Sequence, residues 1–375
     1  MAPVAPSAAR RPRGARAGGH GTAPGGAPSS HVADAGARPA VQLFVTCMVD
    51  LFRPAAGTAA VRVIERRGVT VEFPMGQTCC GQFAHNAGYR REAAAMGRQL
   101  VRAFQPVGDR GSSGVRGARR AADSEPAAPW SLAGVPVVAL SGSCAAMVAH
   151  QVPALLEADA VERGWGPESA ARWRARAEIL AERVVELSAW LDRADAAPPS
   201  ADSEPGAAAA PTCAAGSERG ADAGGSGGGA VAVTRPAAPV DPLPVACHTG
   251  CHMRRLLHDT EAPMRVLRSA GTAPEEPPDA DQCCGFGGTF ALREPELSAA
   301  MADAKLEALK ALREAGAAGL VGTDLGCLMQ LGGRLQRRGD SFPVLHLAEL
   351  VDAADRGALT HDGLERVARA AGDAR

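Results

Sequence analysis

Two stretches of this chain carry the same cysteine spacing, and no other feature limits the fold as strongly. Cys47 is followed by 31 residues and then Cys79-Cys80-Gly81, and Cys251 by 31 residues and then Cys283-Cys284-Gly285. Each series closes on one more cysteine, in Ser141-Gly142-Ser143-Cys144 and in Asp324-Leu325-Gly326-Cys327. The last gaps differ, 63 residues after Cys80 and 42 after Cys284. A Gly/Ser/Arg/Ala-rich stretch at 106–131 accounts for the excess. Composition alone would supply about 0.03 Cys-Cys-Gly triplets in a chain of this kind. Two triplets with matched upstream cysteines are therefore an internal duplication.

Each copy reads as alternating strand and helix. In the first, Val41–Val45, Val69–Phe73 and Val135–Leu140 are β-rich runs, with helices expected at 54–67, 88–104, 144–157 and 167–191. In the second, strands are expected at 243–246, 318–323 and 342–346. Helices are expected at 251–270, 294–315, 326–337 and 347–354. A strand before Gln282 is hard to place, because Pro274 to Asp281 is acidic and proline-rich. Strand–helix–strand alternation predicts an α/β fold: two similar halves, each a short parallel sheet flanked by helices, with cysteines at the strand C-termini.

The domain layout follows from composition. Residues 1–38 form an Arg/Ala/Gly/Pro/Ser-rich tail, expected to be disordered; 39–192 is a first cysteine-rich domain with a flexible insert at 106–131. Residues 193–240 are a linker containing the run Gly224-Gly225-Ser226-Gly227-Gly228-Gly229, and 241–370 a second cysteine-rich domain. No apolar run approaches the roughly 20 residues of a membrane helix, and no secretory signal is visible. A cytoplasmic, reducing location is expected, where cysteines serve as thiolate ligands rather than disulfides. A formal net charge of −1 gives no electrostatic reason for a nucleic-acid or anionic-membrane partner.

In open α/β sheets the ligand crevice lies beyond the strand C-termini, where Cys47, Cys79, Cys80 and Cys144 are expected to converge, and likewise Cys251, Cys283, Cys284 and Cys327. Four thiolates at one rim suit tetrahedral zinc or an iron–sulfur cluster. Adjacent cysteines are awkward for one mononuclear ion and workable for a multi-iron cluster, so iron–sulfur is favoured over zinc. Gly81 and Gly285 would let the backbone approach the cofactor and donate N–H to sulfur. Other candidates are weighed individually. Cys247 offers a spare thiol one helical turn from Cys251. His248 and His252 flank Cys251 and are read as substrate-facing, cluster-adjacent or solvated. His85 follows the first Cys-Cys-Gly and is a proton-donor candidate. Asp50 and Arg53 stand near Cys47, with a surface ion pair as the plain alternative. Cys213 lies in the linker and is read as incidental. No catalytic residue is assigned.

These residues resemble the duplicated cysteine-rich (CCG) domain of iron–sulfur oxidoreductases, and most of all the lactate-utilisation protein A family. The resemblance rests on Phe44–Asp50, Gly76–Gln82, Ser141–Cys144, Cys283–Phe290 and Thr323–Leu328. It implies an iron–sulfur electron-transfer component of a multi-subunit system oxidising L-lactate, a small 2-hydroxy acid, to pyruvate. It also implies up to two 4Fe–4S clusters and other lactate-utilisation iron–sulfur subunits as partners. The wider group ends its pattern in Cys-x-x-Cys, and here Ser141 and Asp324 stand at the first of those positions. Four thiols per half therefore suit an ordinary 4Fe–4S cluster, with Asp324 either an oxygen ligand or a cap of the helix bearing Cys327. The alternatives are the iron–sulfur subunit of a glycolate or glycerol-3-phosphate dehydrogenase, a disulfide reductase, or a structural zinc-binding module.

Overall fold

Short β-branched runs become the strands, and each helix begins where the sheet ends. The computed structural model describes residues 39–104, 135–196 and 241–373. The expectations for 1–38, 106–131 and all but the start of the 193–240 linker lie outside the described residues; residues 193–196, expected in the linker, belong instead to the last helix of the first half. The first half runs β1 (Ala40–Phe44), α1 (Cys47–Phe52), α2 (Pro54–Glu65), β2 (Thr70–Glu72), α3 (Gln82–Asn86), α4 (Arg90–Ala103), β3 (Val137–Ala139), α5 (Gly142–Ala146), α6 (Val152–Glu162), α7 (Pro167–Arg183), β4 (Val184–Glu186) and α8 (Leu187–Ala196). The second runs β5 (Leu243–His248), α9 (Glu261–Ser269), β6 (Thr272–Glu275), α10 (Phe290–Arg293), α11 (Pro295–Glu314), β7 (Leu320–Gly322), α12 (Leu325–Arg337), β8 (Val344–His346), α13 (Leu347–Asp355) and α14 (His361–Asp373). Among the described residues no helix is long and apolar enough to cross a membrane.

The two sheets have one topology. Their orders are β2-β1-β3-β4 and β6-β5-β7-β8, and every pairing is parallel. The register repeats as well. Phe44 pairs with Ala139 and Ala139 with Glu186; His248 pairs with Gly322 and Gly322 with His346. Phe44 and His248 thus hold equivalent places, as do Glu186 and His346. The α/β duplication expected from the cysteines is what the chain forms.

Three elements depart from the sequence reading. The helix expected over 167–191 is cut by β4, because Val184 and Val185 pair with β3 and pairing overrides the helical periodicity around them. Arg183 fixes that edge, donating to the carbonyls of Val135 (2.9 Å) and Phe104 (2.6 Å) and to Gln42 Oε1 (2.7 Å). The helix expected over 251–270 breaks at His258, whose φ is 51°, and Asp259 Oδ1 takes the Ala262 N–H at 3.0 Å as α9 begins. The strand that proline concealed is β6. It pairs only with β5, so the missing N–H of Pro274 is tolerated on an edge.

The halves share one apolar core. Buried Leu43, Val63 and Ile64 belong to the same cluster as Leu347, Leu350 and Val351. Polar clamps flank it: the buried Asp352 carboxylate takes Arg62 Nη2 at 2.7 Å and Arg66 Nη1 at 2.8 Å, and Arg53 Nε reaches Glu349 Oε1 at 2.9 Å. Arg53 therefore joins the halves.

The equivalent residues Glu186 and His346 both cap the helix that follows their strand. His346 Nδ1 accepts from Ala348 N at 3.2 Å, so Nε2–H donates to the Leu140 carbonyl of the other half at 3.1 Å. Glu186 accepts from Ser188 N (2.7 Å), the Ser188 hydroxyl and Ala189 N (3.4 Å), while its Oε1 is buried without a partner. Burial pushes the Glu186 carboxyl up to about 7. A folded pKa above the unfolded one stabilises the fold at pH below the unfolded value, and that contribution is lost as pH rises through 7. Glu186→Gln should therefore flatten a loss of about 3 kcal/mol between pH 5 and 8. Denaturant midpoints of both proteins across that window are the check, and parallel profiles would contradict it.

Candidate metal centre

The strand order reverses between β1 and β3, and again between β5 and β7, so each sheet opens a crevice at its switch point. Cys47 starts α1 directly after β1, and Cys144 sits in the first turn of α5 directly after β3. Cys251 follows β5 and Cys327 lies in the first turn of α12, after β7. Cys79-Cys80 and Cys283-Cys284 lie on the loops leaving β2 and β6. The topology thus delivers four thiols to each crevice, two of them at helix N-termini where negative sulfur is favoured.

Within each group the thiols touch in the same sequence. Cys47 Sγ is 3.4 Å from Cys79 Sγ, and Cys80 contacts both Cys79 and Cys144. Cys283 contacts Cys251 and Cys284, and Cys284 contacts Cys327. The predicted glycine N–H groups point inward: Gly81 N lies 3.5 Å from Cys79 Sγ, and Gly285 N 3.4 Å from Cys283 Sγ. Both glycines have φ 86°, with helix backbone behind them. A Cβ at Gly81 would come within 3.0 Å of the Ala93 carbonyl oxygen, and one at Gly285 would run into that of Ser298. Only glycine fits either turn.

Charge in each group settles first on one sulfur. Thiol donors Cys47 and Cys80, with Gly81 N–H, hold Cys79 down to about 3. Cys251, Cys284 and Gly285 N–H hold Cys283 down to about 2. The hydrogen bond to Cys79, then burial, pushes Cys47 well up, and Cys251 rises in the same way beside Cys283. The thiols pushed up around that sulfur keep their protons until a cation draws them off, which is the behaviour of a thiolate metal or metal–sulfur site. The donor set of each group fits an iron–sulfur cluster or a soft metal ion.

One cavity is lined by all eight of these cysteines. The halves meet around it. Asp324, read as either an oxygen ligand or a cap of the helix bearing Cys327, makes no side-chain cap there. Its Oδ2 instead accepts from Ser143 N at 3.0 Å and Ser141 Oγ at 3.2 Å, capping the helix that carries Cys144 in the other half. Gln82 Nε2 lies 2.9 Å from His252 Nε2. With that amide donating, the proton sits on His252 Nδ1, 3.6 Å from Cys251 Sγ. Phe83 and Phe286 meet edge-on across the halves at 5.7 Å. Sequence reasoning passed over Gln82, Phe83 and Ser143. Their only signal was position, next to Cys-Cys-Gly or before Cys144.

The remaining candidates separate cleanly. Cys247 is the fifth residue of β5 and is buried in the apolar core, where burial pushes its thiol up to about 12. It is in a strand, so it is not one helical turn from Cys251, and it does not line the cavity. His85 does not line the cavity either, whereas its neighbours Phe83 and Asn86 do. Asp50 is exposed. His248 is buried beside Cys284 and Cys327, and burial pushes it down to about 4, so the ring is neutral near pH 7. Cys213 lies outside the described residues.

Comparison with known proteins agrees with this duplicated geometry. A cysteine-rich domain family, CCG, matches residues 41–110 and 245–332. The chain is also similar to a protein named lactate utilization protein A from Halalkalibacterium halodurans, 32% identical over 317 residues, which is 84% of this chain and 98% of the relative. The protein of that name from Geobacillus kaustophilus is 35% identical over 314 residues (84% and 98%), and that from Bacillus subtilis 32% over 314 residues (84% and 99%).

Proposed function

The chain belongs to the lactate utilization protein A family, and from that membership we propose that it acts in lactate utilisation, as a cytoplasmic iron–sulfur electron-transfer component of an L-lactate-oxidising system. The observation that carries this reading is the pair of four-thiol groups lining one cavity. Oxidation of lactate to pyruvate releases two electrons, and two one-electron centres can take them in turn. Cys47, Cys79, Cys80 and Cys144 would hold one cluster, and Cys251, Cys283, Cys284 and Cys327 the other. The clusters would supply one-electron redox chemistry. The chain's own groups do the rest. Gly81 and Gly285 direct N–H at sulfur, His252 presents Nδ1 to Cys251, and Asp324 holds the Cys144 loop against the second half. The partners are other iron–sulfur subunits of the same system; because lactate gives up its two electrons as a hydride equivalent, a two-electron acceptor in that system must take them first and pass them on singly.

The test is genetic. Deleting the coding gene should abolish growth on L-lactate as carbon source while growth on glycolate continues, and the intact gene should restore it. Unimpaired growth on lactate, or a defect confined to glycolate or glycerol, would overturn the assignment.

A further inference from the structure

The two thiol groups are built alike except in what stands behind them. β1 ends on Phe44 and β5 on His248, each three residues before the first cysteine and each paired with the last residue of the neighbouring strand. Phe44 packs edge-on against Phe104, with ring centroids 5.5 Å apart. His248 has no such neighbour. Its Nε2 is buried without a hydrogen-bond partner, and one of its ring nitrogens, Cys284 Sγ and Cys327 Sγ all lie within 4.8 Å of one another.

A second difference points the same way. Gly81 abuts Ala93 on α4 and Gly285 abuts Ser298 on α11. Seven residues further along, the first half has buried Leu100 and the second has buried Lys305. Lys305 Nζ donates to the carbonyls of Asp279 (3.2 Å), Ala280 (2.8 Å) and Gln282 (3.0 Å), on the loop leading to Cys283, and its charge acts on Cys284 and Cys327. Two carboxylates lie near as well: Asp324 sits between the halves on Ser141 and Ser143, so it does not belong to the second group alone, and Glu276 is paired with Arg254 at 2.7 Å.

We propose that His248 is a positioning and tuning residue of the second centre. Its Nε2–H donates to the sulfur of Cys284 or Cys327, so that the second cluster is reduced at a more positive potential than the first. Hydrogen bonds to sulfur and nearby positive charge both raise the potential of such centres. The inference rests on the iron–sulfur reading above. It gives electron flow a direction, from the Cys47 group to the Cys251 group.

The experiment is a redox titration of the full chain, reconstituted anaerobically with iron and sulfide and followed by visible absorbance and electron paramagnetic resonance. The wild type should show two reduction steps. His248→Phe, which copies Phe44, should move the more positive step down by about 59 mV, a tenfold change in the reduced-to-oxidised ratio of a one-electron couple, and leave the other in place. His248→Gln keeps an N–H donor and should hold the step near its wild-type position. Unchanged steps in His248→Phe with full iron content, or an equal shift of both steps, would overturn the inference while leaving the clusters standing. If the Phe variant fails to hold iron, the Gln variant decides. A step held in place supports the donor role, and a step moved down by about 59 mV overturns it. A wild-type chain that takes up no iron and sulfide overturns the cluster reading and this inference with it.

Discussion

Cys79→Ala or Cys80→Ala should empty the first centre and spare the second, and Cys283→Ala or Cys284→Ala should do the reverse. In each case iron content should fall to about half, because each group has four thiols and no spare; losing one leaves an iron site open to solvent and oxidation. Cys47, Cys144, Cys251 and Cys327 should behave alike, since each lines the same cavity. Cys247→Ala should retain full iron, because that thiol lies in the apolar core behind β5. Its cost should be one of packing, about 1 kcal/mol. Iron and visible absorbance measured on the purified variants settle this. Full iron in the Cys79→Ala, Cys283→Ala double variant would refute the ligand sets, and iron loss in Cys247→Ala would refute its placement in the core.

The second large effect concerns backbone and no thiol. Gly285→Ala should cost about 3–5 kcal/mol, because the side chain meets left-handed φ strain and the Ser298 carbonyl together. Gly81→Ala, at the same φ but with its Cβ 3.0 Å from the Ala93 oxygen, should cost less. Gly68→Ala has φ 75° and open space around it, so strain alone should leave a cost of about 1–2 kcal/mol. Chemical denaturation of the three variants should give that order. Equal losses at Gly68 and Gly285 would show that the close approach of loop to helix has been misread.

The duplication was legible because cysteine is rare and its spacing survives insertions, and it fixed the number of sheets and the gathering of eight thiols into two groups. The strand that cuts 167–191 was hidden, because Val184 and Val185 sit inside a long helical pattern and only pairing with β3 identifies them. Cys247 was misplaced for a related reason. β5 runs two residues past its expected end, to His248, which turns a supposed helical neighbour of Cys251 into a core residue. Asp324 looked like a local cap because sequence shows which helix follows a residue and not which helix it faces. The contact with Ser141 and Ser143 exists only once the halves are joined. Gln82 and His252 belong to the same class, being separated by 170 residues along the chain.

The central claim is that this chain holds two iron–sulfur centres in one cavity between its halves. Iron, acid-labile sulfide and zinc assayed together on a single anaerobic preparation test it most directly. Two 4Fe–4S clusters predict about eight iron and about eight sulfide per chain, with zinc near zero. Zinc bound in place of iron, with no sulfide, would contradict the account and make the eight cysteines a structural metal site.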